Sequence, residues 1–388
     1  MNSLPDATII KPSARFWRPG WLILAATVVA EFCRAAEPSP HFPIGVWLQN
    51  PANAPRFRAA GINTFVGLWQ GPTEAQLDAL KAADMLVICS QNEMALRRGD
   101  TNIIAWMHGD EPDNARKLAA RLGYGAPILP EKIVEDYRKL KAADPSRPVF
   151  LNLGQGVAWD GWYGRGRRSN HPEDYPEYLK GCDIASFDIY PANHGSQAVA
   201  GKLWFVAHGV ERLRNWTGDT KPVWACIECT NIGESGRKPT PTEVRAEVWM
   251  ALIHGADGLN YFVHQFKPKF IEAALLEDAE MLAAVTAINR QITELAPVLN
   301  SPTITNAIRV TVSDPAVPVA TLVKEFQGKT YLFAVAMRGQ PTTAEFSTTR
   351  ASGNFSVEAL GEKRSLVATH GGFADQFAPW EVHLYRFP

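Results

Sequence analysis

The stretch Ile103-Ile104-Ala105-Trp106-Met107-His108-Gly109-Asp110-Glu111-Pro112 is a short apolar run that stops abruptly on two carboxylates and a proline. Its length suits a buried strand rather than a helix, and Gly109 and Pro112 punctuate its end. Similar runs lie on both sides of it, at 42–49, 63–68, 85–90, 148–153, 183–190, 222–229 and 258–263. Between most of them the apolar residues recur at helical spacing, over 73–83, 130–143, 196–215 and 241–254, with a last helix over 271–295. Strands alternating with helices imply a parallel sheet, because a parallel crossover needs a covering helix. Eight such units predict an α/β fold, a closed (β/α)8 TIM barrel. Helix starts carry capping chemistry at Thr73 with Gln76 and at Pro241 with Glu243. An open doubly wound sheet would want a glycine-rich phosphate loop after the first strand, and Leu48-Gln49-Asn50-Pro51 is not one.

Downstream of Pro297 the periodicity changes. Short β-rich runs at 308–312, 320–326, 331–336, 355–360 and 382–387 predict a small antiparallel β-sandwich, with Gln327-Gly328 as a hairpin turn. At the other end, Lys11, Arg15 and Arg18 precede an apolar run over 21–30 and the small residues Ala35 and Ala36. That order predicts a secretory signal cleaved near Ala36, on a run too short to span a bilayer. The expected organisation is therefore signal 1–36, barrel 37–297 and sandwich 298–388, in a protein secreted or periplasmic in a bacterium and without stable membrane insertion.

The chain has 388 residues, 46% of them hydrophobic and 20% charged, at net charge −1. This is globular composition, and without a basic stripe a nucleic-acid partner has no electrostatic support. Cys89, Cys182, Cys226 and Cys229 sit in apolar runs and read as buried thiols. Cys226 and Cys229 form C-x-x-C, but no second pair completes a zinc set. The first strand also lacks the His-x-His of barrel metallohydrolases, so no metal or other cofactor is expected.

Two strands end in a glutamate. The fourth closes with Asp110-Glu111-Pro112 and the seventh with Cys226-Ile227-Glu228-Cys229. In a barrel, groups at the C-terminal strand ends converge, and a carboxylate at a buried strand tip needs a partner or a task. Two converging carboxyls, one protonated and one ionised, can cleave a glycosidic bond. The pattern resembles the clan-A retaining glycoside hydrolases, whose acid/base Glu follows strand four, commonly as Asn-Glu-Pro, and whose nucleophile Glu follows strand seven. This sequence has Asp110 where the clan has Asn; an ionised Asp accepts a hydrogen bond but donates none. The resemblance implies a retaining glycosidase cleaving a β-linked glycoside or polysaccharide. Glu111 would be its acid/base, Glu228 its nucleophile, and Tyr190 a hydrogen-bond partner of that nucleophile.

Other residues near strand ends complete the expected carbohydrate site. Asp188 and Tyr190 share a face of the sixth strand, with Asp188 either a hydroxyl ligand or a structural acceptor. Asn152 and His264 are hydroxyl ligands at other strand ends, and Trp47, Trp69, Trp159 and Trp162 are stacking residues. The loop over 154–176 is too long for a routine connection and is rich in aromatics and arginine. Glu93, in Gln91-Asn92-Glu93, is a rival acid; Glu234 is a solvated or substrate-contacting residue; His108 is out of phase with Glu111 and reads as structural. Two alternatives stand beside the glycosidase: a non-catalytic glycan-binding protein on a degenerate barrel, and an unrelated metal-dependent barrel hydrolase.

Overall fold

The computed structural model describes residues 37–116, 125–233, 236–348, 350 and 352–388. The expected signal segment 1–36 and Glu234 lie outside the described residues.

Eight parallel strands close into a barrel in chain order: β1 (Ile44–Trp47), β2 (Thr64–Val66), β3 (Leu86–Cys89), β4 (Ile103–Met107), β5 (Val149–Leu153), β6 (Ile184–Phe187), β7 (Val223–Glu228) and β8 (Gly258–Phe262). β1 pairs with both β2 and β8, which seals the cylinder. The covering helices are α1 (Ala54–Ala59), α2 (Glu74–Ala82), α3 (Glu93–Arg98), α4 (Pro130–Ala143), α5 (Tyr175–Tyr178), α6 (Trp204–Thr217), α7 (Pro241–Ile253) and α8 (Ala279–Leu299). The expected cap of α2 is present as a reciprocal capping box, Thr73 with Gln76; on α7 Pro241 and Glu243 lie in the first turn as expected, and the residue that closes the box with Glu243 is Thr240. Asn92 caps α3 through Ala95 N–H, so Asn92-Glu93 is a helix start and Glu93 an exposed first-turn residue. α6 starts at Trp204 rather than near Ser196, because 191–203 is spent in turns at the end of β6.

Period-two alternation sorts the strand residues. Trp47, Val66, Ile88, Ala105, Met107, Phe150 and Trp224 come from six strands and form one cluster, which places them inside the cylinder. Gly258 is dictated by that packing: a Cβ there would stand 2.4 Å from the Trp224 ring. Outward residues such as Trp106, Leu151, Phe187, Ile227 and Tyr261 join the helices in the main core.

The C-terminal part is a sandwich of two antiparallel sheets. It comprises β9 (Ile308–Val312), β10 (Val319–Phe326), β11 (Lys329–Ala336), β12 (Thr342–Thr348), β13 (Phe355–Ala359), β14 (Arg364–Ala368), β15 (Gly372–Phe377) and β16 (Val382–Phe387). One sheet runs β10-β11-β16-β13-β14 and the other β15-β12-β9. Gln327 and Gly328 both have positive φ, the conformation of the expected hairpin turn. β12, β14 and β15 escape a search for apolar runs because they bury only alternate residues. α8 runs through Pro297 to Leu299, past the expected boundary, and the barrel core continues into Tyr331, Phe333, Val335, Val382 and Leu384. Trp249 of α7 meets Phe333 of β11 at 5.2 Å between ring centroids.

Candidate active site

Above the apolar interior layer lies a polar one. Asn152 (β5), Ser186 (β6), Cys226 (β7) and Asn260 (β8) alternate with inward residues of their strands and touch one another. Ser186 Oγ donates to Asn152 Oδ1 at 2.9 Å, and Asn260 Nδ2 lies 3.6 Å from Cys226 Sγ. Asn152 Nδ2 in turn donates to Asp110 Oδ1 at 3.0 Å. Asn152 is thus a scaffold that positions Asp110 from below.

Glu111 sits where the chain turns sharply out of β4. Its φ is +40°, a left-handed conformation costly for a side-chain-bearing residue and doubly so before proline. The turn is held by hydrogen bonds from Glu111 N to Asn152 O (3.2 Å) and from Asn114 N to Glu111 O (3.1 Å). Strain held in place by surrounding bonds is characteristic of functional sites. The Glu111 carboxyl has Asp188, at the end of β6, and Asn114 as hydrogen-bond partners. Tyr190 O–H donates to Asp188 Oδ2 at 3.3 Å.

Asp110, Glu111 and Asp188 therefore crowd together at the barrel mouth, with Asp113 behind them. Burial pushes Glu111 up to about 7, and the charges of Asp110 and Asp113 push the same way. Burial also raises Asp188 well above the carboxylate range, reinforced by Glu111 and Asp110. Two like charges in contact cannot both ionise cheaply, so the pair retains one proton to a higher pH than an isolated carboxyl would. Asp110 is raised in the same direction, to about 6, first by the desolvation of its carboxyl and then by the charge of Asp113, against the Asn152 hydrogen bond.

Glu228 has surroundings that its position in sequence did not suggest. It is fully enclosed, at 0% exposure. Its oxygens accept hydrogen bonds from Ala192 N (2.5 Å), Asn193 N (2.9 Å) and Asn193 Nδ2 (2.5 Å), all in the loop after β6. Its remaining partner is Glu247, a second fully buried carboxyl, on α7. Tyr190, expected by resemblance beside Glu228, bonds Asp188 instead. The carboxyl in contact with Glu111 is thus Asp188.

The long loop after β5 is partly self-packed. Arg165 is buried against Asp174 (2.6 Å), and Asp113 accepts from Gly154 N and Tyr175 O–H, both at 2.9 Å. Asp113→Ala should strip both donors of their acceptor and cost about 2–4 kcal/mol, read as a lower urea midpoint. An unchanged midpoint would show that the loop does not depend on this acid. Trp162 is buried and its indole N–H donates to Asn114 Oδ1 at 2.7 Å, so it positions the partner of Glu111 rather than offering a face. Trp47 fills the barrel interior. Trp159 is half-buried, whereas Trp69, after β2, is 68% exposed and free to stack. His264 is buried beside Gln49, with 3.1 Å between their Nε2 atoms. His108 faces outward to Gly181 O at 2.8 Å, a structural contact.

Residues overlooked in the sequence are Gln49, Phe266 and Phe270. The phenylalanines are 46% and 60% exposed in the loop after β8. Their signal was weak because isolated aromatics in a loop have no periodicity to mark them.

No family model and no curated protein sequence matches the chain. Among solved structures it is similar to a putative alpha-galactosidase from Bacteroides fragilis, with TM-score 0.55, 10% identity, and 90% of this chain and 79% of that one covered. A putative alpha-galactosidase/melibiase from the same organism gives TM-score 0.51 at 11% identity, with the same coverage. A variant of AmyP in complex with maltotriose gives TM-score 0.51 at 8% identity, covering 89% of this chain and 96% of that one. Likeness at such identities shows the fold. The closed barrel with its C-terminal sandwich is an architecture found among glycoside hydrolases, as the sequence resemblance implied.

Proposed function

We propose that the protein is a glycoside hydrolase whose working carboxyls are Glu111 and Asp188. The observation that carries this reading is their contact at the mouth of the barrel, where they share a proton beside a third carboxyl, Asp110. The reaction needs one proton and one negative charge on either side of a glycosidic bond, and this pair holds both at neutral pH. The shared proton rests on Asp188, the more strongly raised of the two, and passes through their contact to Glu111, the more open one, which delivers it to the leaving oxygen as the bond to the anomeric carbon breaks. An Asp188 oxygen forms the new bond to that carbon, with Tyr190 O–H steadying its charge. Water then returns a proton to Glu111 and supplies hydroxide to the carbon, releasing Asp188. Asp110, fixed by Asn152, faces the positive charge that develops on the sugar. The pair must part to about 5–5.5 Å to admit a glycosidic bond with retention, a smaller movement than the roughly 6.5–9.5 Å that an attacking water needs for inversion.

Glu228 as nucleophile would need a carboxylate open to the sugar, and its enclosure by Ala192, Asn193 and Glu247 supports a structural role instead. The β-linkage is carried by the sequence resemblance. A panel of α- and β-linked aryl glycosides, with products followed by NMR, tests the reading. Hydrolysis of at least one with retained configuration is expected; inversion would remove the covalent step. The rate should fall as pH rises through about 7, because Glu111 must be protonated and is raised to that value. A rate that climbs above pH 7, or one abolished by a chelator, would sink the two-carboxyl mechanism.

A further inference from the structure

An aromatic wall leads outward from Asp188. Tyr190 packs on Phe262 (5.2 Å between centroids), Phe262 on His264 (5.0 Å), and His264 on Phe270 (6.0 Å, 22° between planes). Phe266 and Phe270 stand 5.5 Å apart at the exposed end. The loop that carries them is pinned by a two-way backbone bridge between Gln265 and Ile271, each N–H donating to the other's carbonyl at 2.9 Å. The two rings are thus held in place without being covered. Beside the wall, Gln49 at the end of β1 is only 1% exposed. Its Nε2 donates to Glu272 O at 2.9 Å and lies 3.1 Å from His264 Nε2, while its Oε1 is buried with no partner in the protein. A buried acceptor left unpaired is unfavourable and calls for a donor. An apolar face bordered by an unsatisfied acceptor matches a pyranose ring, which has an apolar C–H face and hydroxyls around its rim.

Building on the glycosidase reading, we propose that the β8 loop and the end of β1 form a sugar subsite. The ring of a neutral pyranoside lies with its C–H face on Phe266 and Phe270 and donates a hydroxyl to Gln49 Oε1. The test is binding, not turnover. Glu111→Gln protein is titrated calorimetrically with methyl pyranosides, disaccharides such as cellobiose, xylobiose and maltose, and phenyl glycosides. For whichever saccharide binds, F266A/F270A in that background should weaken affinity about tenfold, the loss expected for two stacking contacts, and Gln49→Ala should weaken it comparably. Both phenylalanines are exposed, so their removal leaves the fold intact; Val367→Ala, an exposed sandwich residue, is the control and should change nothing. Unaltered affinity in F266A/F270A would overturn the subsite, as would binding of phenyl but not methyl glycosides, which would make the wall an aglycone contact. If the subsite variants behave as expected but the native protein hydrolyses nothing, the subsite stands and the hydrolase reading falls.

Discussion

Glu111→Gln should lower kcat/KM on alkyl glycosides by about 10²–10⁴-fold, the usual worth of a positioned general acid. Aryl glycosides with strongly acidic leaving groups need little protonation, so their bond cleavage should suffer far less. Asp188→Asn should be at least as damaging and should spare no substrate, because it removes the attacking oxygen and leaves Glu111 without its proton-sharing partner. The two effects should not add, since each residue sets the protonation state of the other. A 2-deoxy-2-fluoro glycosyl fluoride should trap the covalent intermediate, and peptide mass mapping should locate the sugar on Asp188. Recovery of the label on Glu228 would show that this enclosed carboxylate becomes exposed during turnover and would restore it as nucleophile. Circular dichroism of each variant separates lost chemistry from lost fold.

Glu247→Gln should stabilise the protein, and by more at pH 8 than at pH 5. Glu228 and Glu247 are both fully buried and hydrogen-bonded to each other. Burial raises Glu228 to about 7 from its ordinary 4.5, offset in part by donors from Asn193 and Ala192. Burial and the neighbouring Glu228 charge raise Glu247 well above the carboxylate range. An acid raised in the folded state holds more protons there than in the unfolded chain. Its stabilising contribution is full below the unfolded value and is lost as pH climbs through the folded one. The native protein should therefore lose stability between about pH 4.5 and 7, on the order of 3 kcal/mol from Glu228 alone. A glutamine at 247 keeps the shape, offers Glu228 an N–H, and removes the proton that must otherwise be retained. Thermal melts of native and variant protein across this window provide the check. Parallel pH curves for the two would show that the pair does not titrate within it.

The barrel was legible in the sequence because its signals are local. Eight apolar runs alternating with amphipathic stretches leave few ways to pair strands, and Thr73, Thr240 and the Gln327-Gly328 turn act over three or four residues. The sandwich was legible only where both strand faces are apolar; β12, β14 and β15 bury alternate residues and passed as loop. Asp110, Glu111 and Asp188 could be placed near the mouth by strand position alone. Which carboxyl meets Glu111 was decided by tertiary structure. β7 brings Glu228 to the strand end as the sequence indicated, yet the loop after β6 and helix α7, both distant in the chain, supply its hydrogen-bond partners. Asp188 meets Glu111 because barrel closure sets β6 two strands from β4, with Asn152 of β5 bridging Asp110 and Ser186 between them. Spacing along a chain determines where a side chain stands on its own strand; who faces it depends on closure and loop paths that no local pattern encodes.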